Sequence, residues 1–303
     1  VNIQEITNKY GGKIDYLDLE ILIAHSLGKT REFVLIHPDH QITKAQNTKI
    51  NKYIQRRIAS EPVAHILGQK EFFGINFVVN KHTLIPRPET EMMVEEVLSL
   101  VTNFAPSLSS GNQSSKKTTI IDIGTGSGCI ITSITNELEN KNATRANKFK
   151  YYATDISNDA LKIAKKNAKI HNLNKKIKFL QGSLLSPLVG NWKLEIGNSA
   201  AIVIANLPYL SKEIYSSAPV DVKKYEPKSA LYSPEEGLQH YRKLLTQINK
   251  ISSTNHSSII TFLEISPEQK NLLAKLVKSI MPKAKTSFQK DLAGKWRVCK
   301  ISI

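Results

Sequence analysis

From about residue 119 the chain alternates between short apolar runs and amphipathic helical stretches, and one junction between them is rich in glycine. Ile120-Ile121-Asp122-Ile123 runs directly into Gly124-Thr125-Gly126-Ser127-Gly128. An apolar strand that delivers such a turn and then opens a helix lets the backbone take tight angles and lets a ligand touch main-chain atoms. The spacing predicts strand 119–123 with helix 128–137, strand 150–154 with helix 158–170, and strand 177–181 followed by a loop. Strand 200–205, a helix around 237–249, strand 258–264, a helix around 267–280 and a strand pair within 286–303 complete the series. Alternation of this kind predicts an α/β fold with a mainly parallel, doubly wound sheet.

Upstream the periods differ. Residues 1 to 59 read as helices: Leu17, Ile21 and Ala24 recur at helical spacing with Gly28 closing that helix, and a short helix follows Thr30. Thr43 with Gln46 predicts a capping box for a helix whose stripe is Ile50, Tyr53, Ile54, Arg57 and Ile58, stopped by Pro62. Phe72 to Val79 reads as two strands around Gly74. In Leu84-Ile85-Pro86-Arg87-Pro88-Glu89-Thr90-Glu91 the prolines hold the backbone extended, as in a rigid hinge, and Pro88 can open a helix carrying Met93, Val97, Leu100, Val101 and Phe104. A polar Ser/Gly-rich loop spans 106–119.

The 303 residues suffice for two domains. No apolar run approaches the length of a membrane span, and Val1 to Gly12 lack the apolar core of a signal peptide. Cys129 and Cys299 are the sole cysteines, so neither a disulfide framework nor a metal site is expected, and the cytoplasm is the expected location. The net charge of +16 has two readings: a polyanionic partner, or a lysine-rich composition spread over the whole chain. The chain begins with Val and ends on the strand-like Lys300–Ile303, which is compatible with a longer parent carrying a further domain.

Three further places carry chemistry. Asp155 ends the strand after the glycine turn, where a carboxylate can accept from both ribose hydroxyls of a nucleoside; capping the next helix is the plainer alternative. The end of the third strand brings Ser183 and Leu184 to where this fold faces an adenine ring. Ala200 to Ala205 then runs into Asn206-Leu207-Pro208-Tyr209; Pro208 forces the chain out of the sheet and leaves an exposed amide beside an aromatic ring. A planar nitrogen is a poor nucleophile because its lone pair is delocalised. Accepting hydrogen bonds from its N–H groups, with the Asn206 side-chain oxygen and the main-chain carbonyl of residue 207, favours charge building on nitrogen. Tyr209 can wall the flat group, and the side chain at 207 is expected to be free to vary.

The turn's D-x-G-x-G-x-G spacing resembles motif I of S-adenosylmethionine-dependent methyltransferases. Taken with Glu61–His65, the 84–91 segment, Glu226-Pro227, Gly237-Leu238 with Tyr241, and Asp291–Gly294 with Arg297, the chain resembles the protein-(glutamine-N5) methyltransferases of peptide chain release factors, the PrmC/HemK family. That resemblance implies a class I, Rossmann-like methyltransferase domain with a seven-stranded, mostly parallel sheet at 89–303. A small helical substrate-docking domain at 1–68 and a β-hairpin linker at 69–88 would precede it. It implies S-adenosyl-L-methionine as cofactor, held by Gly124, Thr125, Gly126, Ser127, Gly128, Asp155 and Asn206. The implied partner is a class I release factor, whose Gly-Gly-Gln glutamine would be held by Asn206, Leu207, Pro208 and Tyr209; nucleic-acid contact is not required. The family's usual quartet is Asn-Pro-Pro-Tyr. Leu207 departs from it toward the form typical of rRNA adenine N6-dimethyltransferases, so adenine N6 methylation of rRNA or DNA is the alternative.

Overall fold

The computed structural model of the chain describes residues 1–104, 117–140, 148–189, 200–255 and 258–303. Most of the polar loop read at 106–119 lies outside the described residues, as does the Asn198-Ser199 pair that precedes the 200–205 run. Two compact units form: Val1–Gln69 with Pro219–Tyr225, and Lys70–Ala218 with Glu226–Ile303. Among the described residues no helix is long and apolar enough to cross a membrane.

The first unit is helical: Ile3–Tyr10, Tyr16–Leu27, Arg31–Ile36, Lys44–Ile58 and Val63–Leu67. Thr43 and Gln46 form the expected capping box, and Gly28 closes its helix at φ +65°. The buried side of Tyr16–Leu27 is Leu19, Leu22, Ile23 and Ala24, with Leu17 exposed, instead of the Leu17–Ile21–Ala24 stripe. This helix is apolar on most of its circumference, so period alone cannot choose its inner face. Ile50 and Ile54 are buried, while Ile58, at the helix end, is exposed. The Val63–Leu67 helix was not expected: the preceding helix already ends at Ile58 with Ala59 as its C-cap, and Pro62 is the N-cap of the next.

In the second unit, β1 (Gln69–Phe72) and β2 (Ile75–Val78) form the hairpin around Gly74. Phe72 and Phe77 are fully buried with Met93, Val94 and Val97 of the Glu91–Phe104 helix. The main sheet contains β3 (Thr118–Ile123), β4 (Phe149–Asp155), β5 (Ile177–Gln181), β6 (Ala201–Ala205), β7 (Ile259–Glu264), β8 (Lys285–Lys290) and β9 (Trp296–Ser302). Their order is β5-β4-β3-β6-β7-β9-β8, with the first five parallel and β9 antiparallel to both β7 and β8. Both faces are covered. Ile121, Val203 and Leu263 belong to one buried layer, and Ile120, Ile202, Ile204 and Phe262 to the other.

From β3 the chain winds one way through β4 and β5, then returns to place β6 on β3's other side. The crevice at such a switch point, at the carboxyl ends of the strands, is where open α/β sheets bind ligands. The 84–91 segment lies wholly within this unit. The Glu226 carboxylate accepts from Ile85 N–H at 2.9 Å and pairs with the Arg87 guanidinium.

One buried amide ties the hairpin to the glycine turn. Asn167, on the Asn158–Ile170 helix, accepts from Val78 N–H at 2.8 Å and donates to Val78 O at 3.0 Å and Ser127 O at 2.8 Å. Asn167→Ala leaves those backbone groups unpaired and opens a void, so unfolding in urea should show a loss of about 3 kcal/mol.

Candidate active site

The glycine turn follows β3 and crosses onto β4. Gly124 and Gly126 take φ +71° and +55°, a region L side chains rarely enter. Gly124 N–H and Thr125 N–H both donate to Thr154 O, at 2.8 and 3.0 Å. Asp155, the next residue on β4, accepts from Gly126 N–H at 2.9 Å and from Ser157 N–H at 2.8 Å. The helix that follows is capped by Ser157, whose Oγ accepts from Ala160 N–H at 3.2 Å, so capping does not account for Asp155. Burial raises the Asp155 carboxyl against those N–H bonds. Ile156, immediately after it, is 71% exposed.

The Asn206 loop is built by strand register. β6 and β7 pair in parallel with Ala205 opposite Leu263, so the next residues, Asn206 and Glu264, leave the pair side by side. Glu264 is buried, and its carboxylate accepts from Asn206 Nδ2 at 3.0 Å, Tyr209 Oη at 3.1 Å and Thr90 Oγ1 at 2.6 Å. Asn206 Nδ2 also lies 3.2 Å from Thr90 Oγ1. Burial raises the Glu264 carboxyl, opposed by the hydrogen bonds from Thr90 and Tyr209 and by the charge of Arg297. Burial, then the Glu264 charge, also pushes the Tyr209 phenol well up, so it stays protonated and donates.

The backbone of this loop is held from behind. Gln269 Nε2 donates to Tyr209 O and to Glu236 O, each at 2.9 Å. A Cβ on Gly237 would sit 2.0 Å from Tyr209 O, so this position accepts nothing larger than glycine. The buried Tyr241 hydroxyl makes a short bond to Glu264 O and lies 3.4 Å from Leu207 O, leaving that carbonyl without a strong donor. Leu207 itself is 4% exposed, and its Cδ2 would lie 2.9 Å from a Cβ on Gly124. The expectation that the 207 side chain is free to vary therefore fails: it packs in the core beneath the glycine turn.

A single cleft of about 370 Å³ is lined by Gly124 to Ser127, Asp155, Ser183 and Leu184 together with Asn206, Leu207 and Pro208. Gly128 and Tyr209 do not line it; Gly128 starts the Cys129–Thr135 helix and Tyr209 turns its hydroxyl to Glu264. Thr90 and Ile156 also face this cleft, and sequence reading missed both, as it missed Glu264 and Gln269. The available signal for Glu264 was an acid closing the apolar run 259–263. Cys129 lines the cleft too, but burial pushes its thiol up to about 12, which leaves it unreactive at neutral pH.

Comparison with known proteins gives the same outline. A PrmC N-terminal domain matches residues 8–68 and a methyltransferase domain matches residues 114–289. The release factor glutamine methyltransferase of Bacillus anthracis is 33% identical over 279 residues, covering 92% of this chain and 89% of that protein. This chain belongs to the release factor glutamine methyltransferase family. S-adenosyl-L-methionine is the methyl donor of such a methyltransferase domain. A bifunctional methyltransferase of Rickettsia bellii is 30% identical over 298 residues, 91% of this chain and 50% of that protein, so the chain spans about half the length of that relative. The hMettl16 catalytic domain, in complex with MAT2A 3′UTR hairpin 6, superposes with a TM-score of 0.55 at 15% identity, covering 92% of this chain and 91% of that one. That likeness shows the shared fold.

Asp122 sits beneath the family's glycine turn. It is fully buried, accepts from Thr125 Oγ1 at 2.6 Å, and has no partner for Oδ1 among the described residues. Burial raises its carboxyl to about 7. The folded chain thus holds this proton more tightly than the unfolded chain, so the contribution to stability is complete below about pH 4 and is lost as pH rises through 7. Between about pH 5 and about pH 8 the thermal midpoint of the wild type should fall relative to that of Asp122→Asn, which does not titrate.

Proposed function

We propose that this chain transfers the methyl group of S-adenosyl-L-methionine to the side-chain amide nitrogen (N5) of the glutamine in the Gly-Gly-Gln loop of class I peptide chain release factors. The observation that carries this reading is the continuity of one cleft between the Gly124–Ser127 turn with Asp155 and the Asn206–Pro208 loop. The residues present fit the cofactor. Asp155 keeps lone pairs for ribose hydroxyls beyond the two N–H groups it already accepts. Exposed Ile156 and the buried side chain of Leu184 offer apolar contact to a flat base, Ser183 offers a hydroxyl at its edge, and the glycine turn admits close approach to main-chain atoms. The bound cofactor supplies a methyl group activated by a sulfonium charge.

The chain's own task is to make an amide nitrogen reactive. Asn206 Oδ1 and Leu207 O would accept the two N–H groups of the glutamine amide, aligning it and favouring the positive charge that develops on nitrogen as the new bond forms. The nitrogen then gives up one of those protons to solvent water. On this reading the chain works in the cytoplasm, where its release-factor partner is found. The helical unit at 1–68 would dock that partner, 69–88 would link it, and 89–303 would hold the chemistry. Adenine N6 methylation remains the second reading because Asn-Leu-Pro-Tyr also suits an exocyclic amine.

Incubation with labelled S-adenosylmethionine decides between them. Label should pass to a recombinant release factor and vanish when the Gly-Gly-Gln glutamine is replaced; label on protein-free RNA or DNA instead would favour adenine. Asn206→Ala should lower kcat by about a hundredfold or more. Leu207→Pro should keep activity within about tenfold, about 1.4 kcal/mol, because the main-chain carbonyl survives. The same variant should be less stable by about 1–2 kcal/mol, because a buried side chain is lost.

A further inference from the structure

We propose that Glu264 and Thr90 are a positioning pair that turns the Asn206 carboxamide so that Oδ1, and not Nδ2, faces the cleft, thereby selecting a reacting group that donates hydrogen bonds. This rests on the reading of Asn206 as a substrate-holding residue. The argument is one of proton counting. Thr90 has a single hydroxyl proton, and its 2.6 Å contact commits that proton to Glu264 Oε2. What Thr90 Oγ1 offers Asn206 is therefore a lone pair. Glu264 accepts from Thr90, Asn206 and Tyr209, and nothing in that set calls for a proton on the carboxylate.

Both atoms on the inner side of Asn206, Thr90 Oγ1 at 3.2 Å and Glu264 Oε2 at 3.0 Å, thus present lone pairs alone. A flipped carboxamide would place Oδ1 against both and leave buried acceptors facing one another without a proton between them. It would also present N–H groups to the cleft, which would suit a carbonyl and repel an amide or amine nitrogen. The Glu264 carboxylate fixes Tyr209 at the same time, so one buried group sets both ends of the Asn206–Tyr209 loop.

Hydrogen bonding, as opposed to charge, makes a distinctive prediction for the full chain. Glu264→Gln can still turn its amide oxygen to Thr90 and Asn206 with its NH2 toward the Tyr209 oxygen, so kcat should stay within about tenfold. Glu264→Met offers no acceptor and should lower kcat about a hundredfold, with S-adenosylmethionine affinity by calorimetry unchanged. Thr90→Val should lose about tenfold in kcat and Thr90→Ser should restore most of it. Equal losses in Glu264→Gln and Glu264→Met, a parallel loss of cofactor affinity in Glu264→Met, or full activity in Thr90→Val would each overturn the proposal.

An activity-independent readout separates this idea from the proposed substrate. In the wild type, the Asn206 carboxamide protons should show nuclear Overhauser contacts to the Thr90 side chain; their absence overturns the orientation whatever the chain methylates. A wild-type chain that shows those contacts yet leaves release factors unlabelled overturns the substrate reading alone.

Discussion

The arrangement of the catalytic unit depends on one buried carboxylate. Glu264 ends β7 in an environment that would penalise an isolated charge heavily, and it persists because three side chains donate to it. Those donors come from three places: the turn before the Glu91–Phe104 helix, the end of β6, and the residue after Pro208. Removing the carboxylate would release all of them together. Strand order explains why such a group can exist here. β6 and β7 are parallel neighbours in register, so two consecutive strand ends deliver an amide and an acid to the same point beside the switch between β3 and β6.

The parts of this site that sequence reading found are local in the chain. A glycine turn between strand and helix, an acid one strand later, and an amide ahead of a proline each announce themselves within ten residues, because turn chemistry and strand period are short-range properties. The parts it missed are long-range. Thr90 and Glu264 are 174 positions apart, and neither residue type is unusual where it stands. Thr90 lay inside a segment read as a hinge, and its role emerges only when the β7 end is brought to it. The burial of Leu207 was illegible for the same reason: its packing against Gly124, where an added Cβ would meet Leu207 Cδ2 at 2.9 Å, joins two loops through the register of β3 and β6. Helix faces failed where periodicity was overdetermined, as in Tyr16–Leu27, and a five-residue helix after Pro62 was too short to give a period at all.

The net charge of +16 is easier to weigh with the fold in hand. Exposed lysines 165, 166 and 169 lie on the helix beside β4 and β5, while exposed lysines 275, 278, 283 and 285 lie near β8, at the opposite edge of the sheet. Among the described residues these seven lysines therefore fall into two separate groups.

The central claim is that Asn206 presents a carbonyl oxygen to a nitrogen that donates. A crystal structure of the chain with S-adenosylhomocysteine and a Gly-Gly-Gln peptide tests it most directly. The account predicts the glutamine side-chain nitrogen at about 3 Å from both Asn206 Oδ1 and Leu207 O, with Asn206 Nδ2 still bound to Glu264. A glutamine whose oxygen, not its nitrogen, faces Asn206, or one that lies outside this cleft, would contradict it.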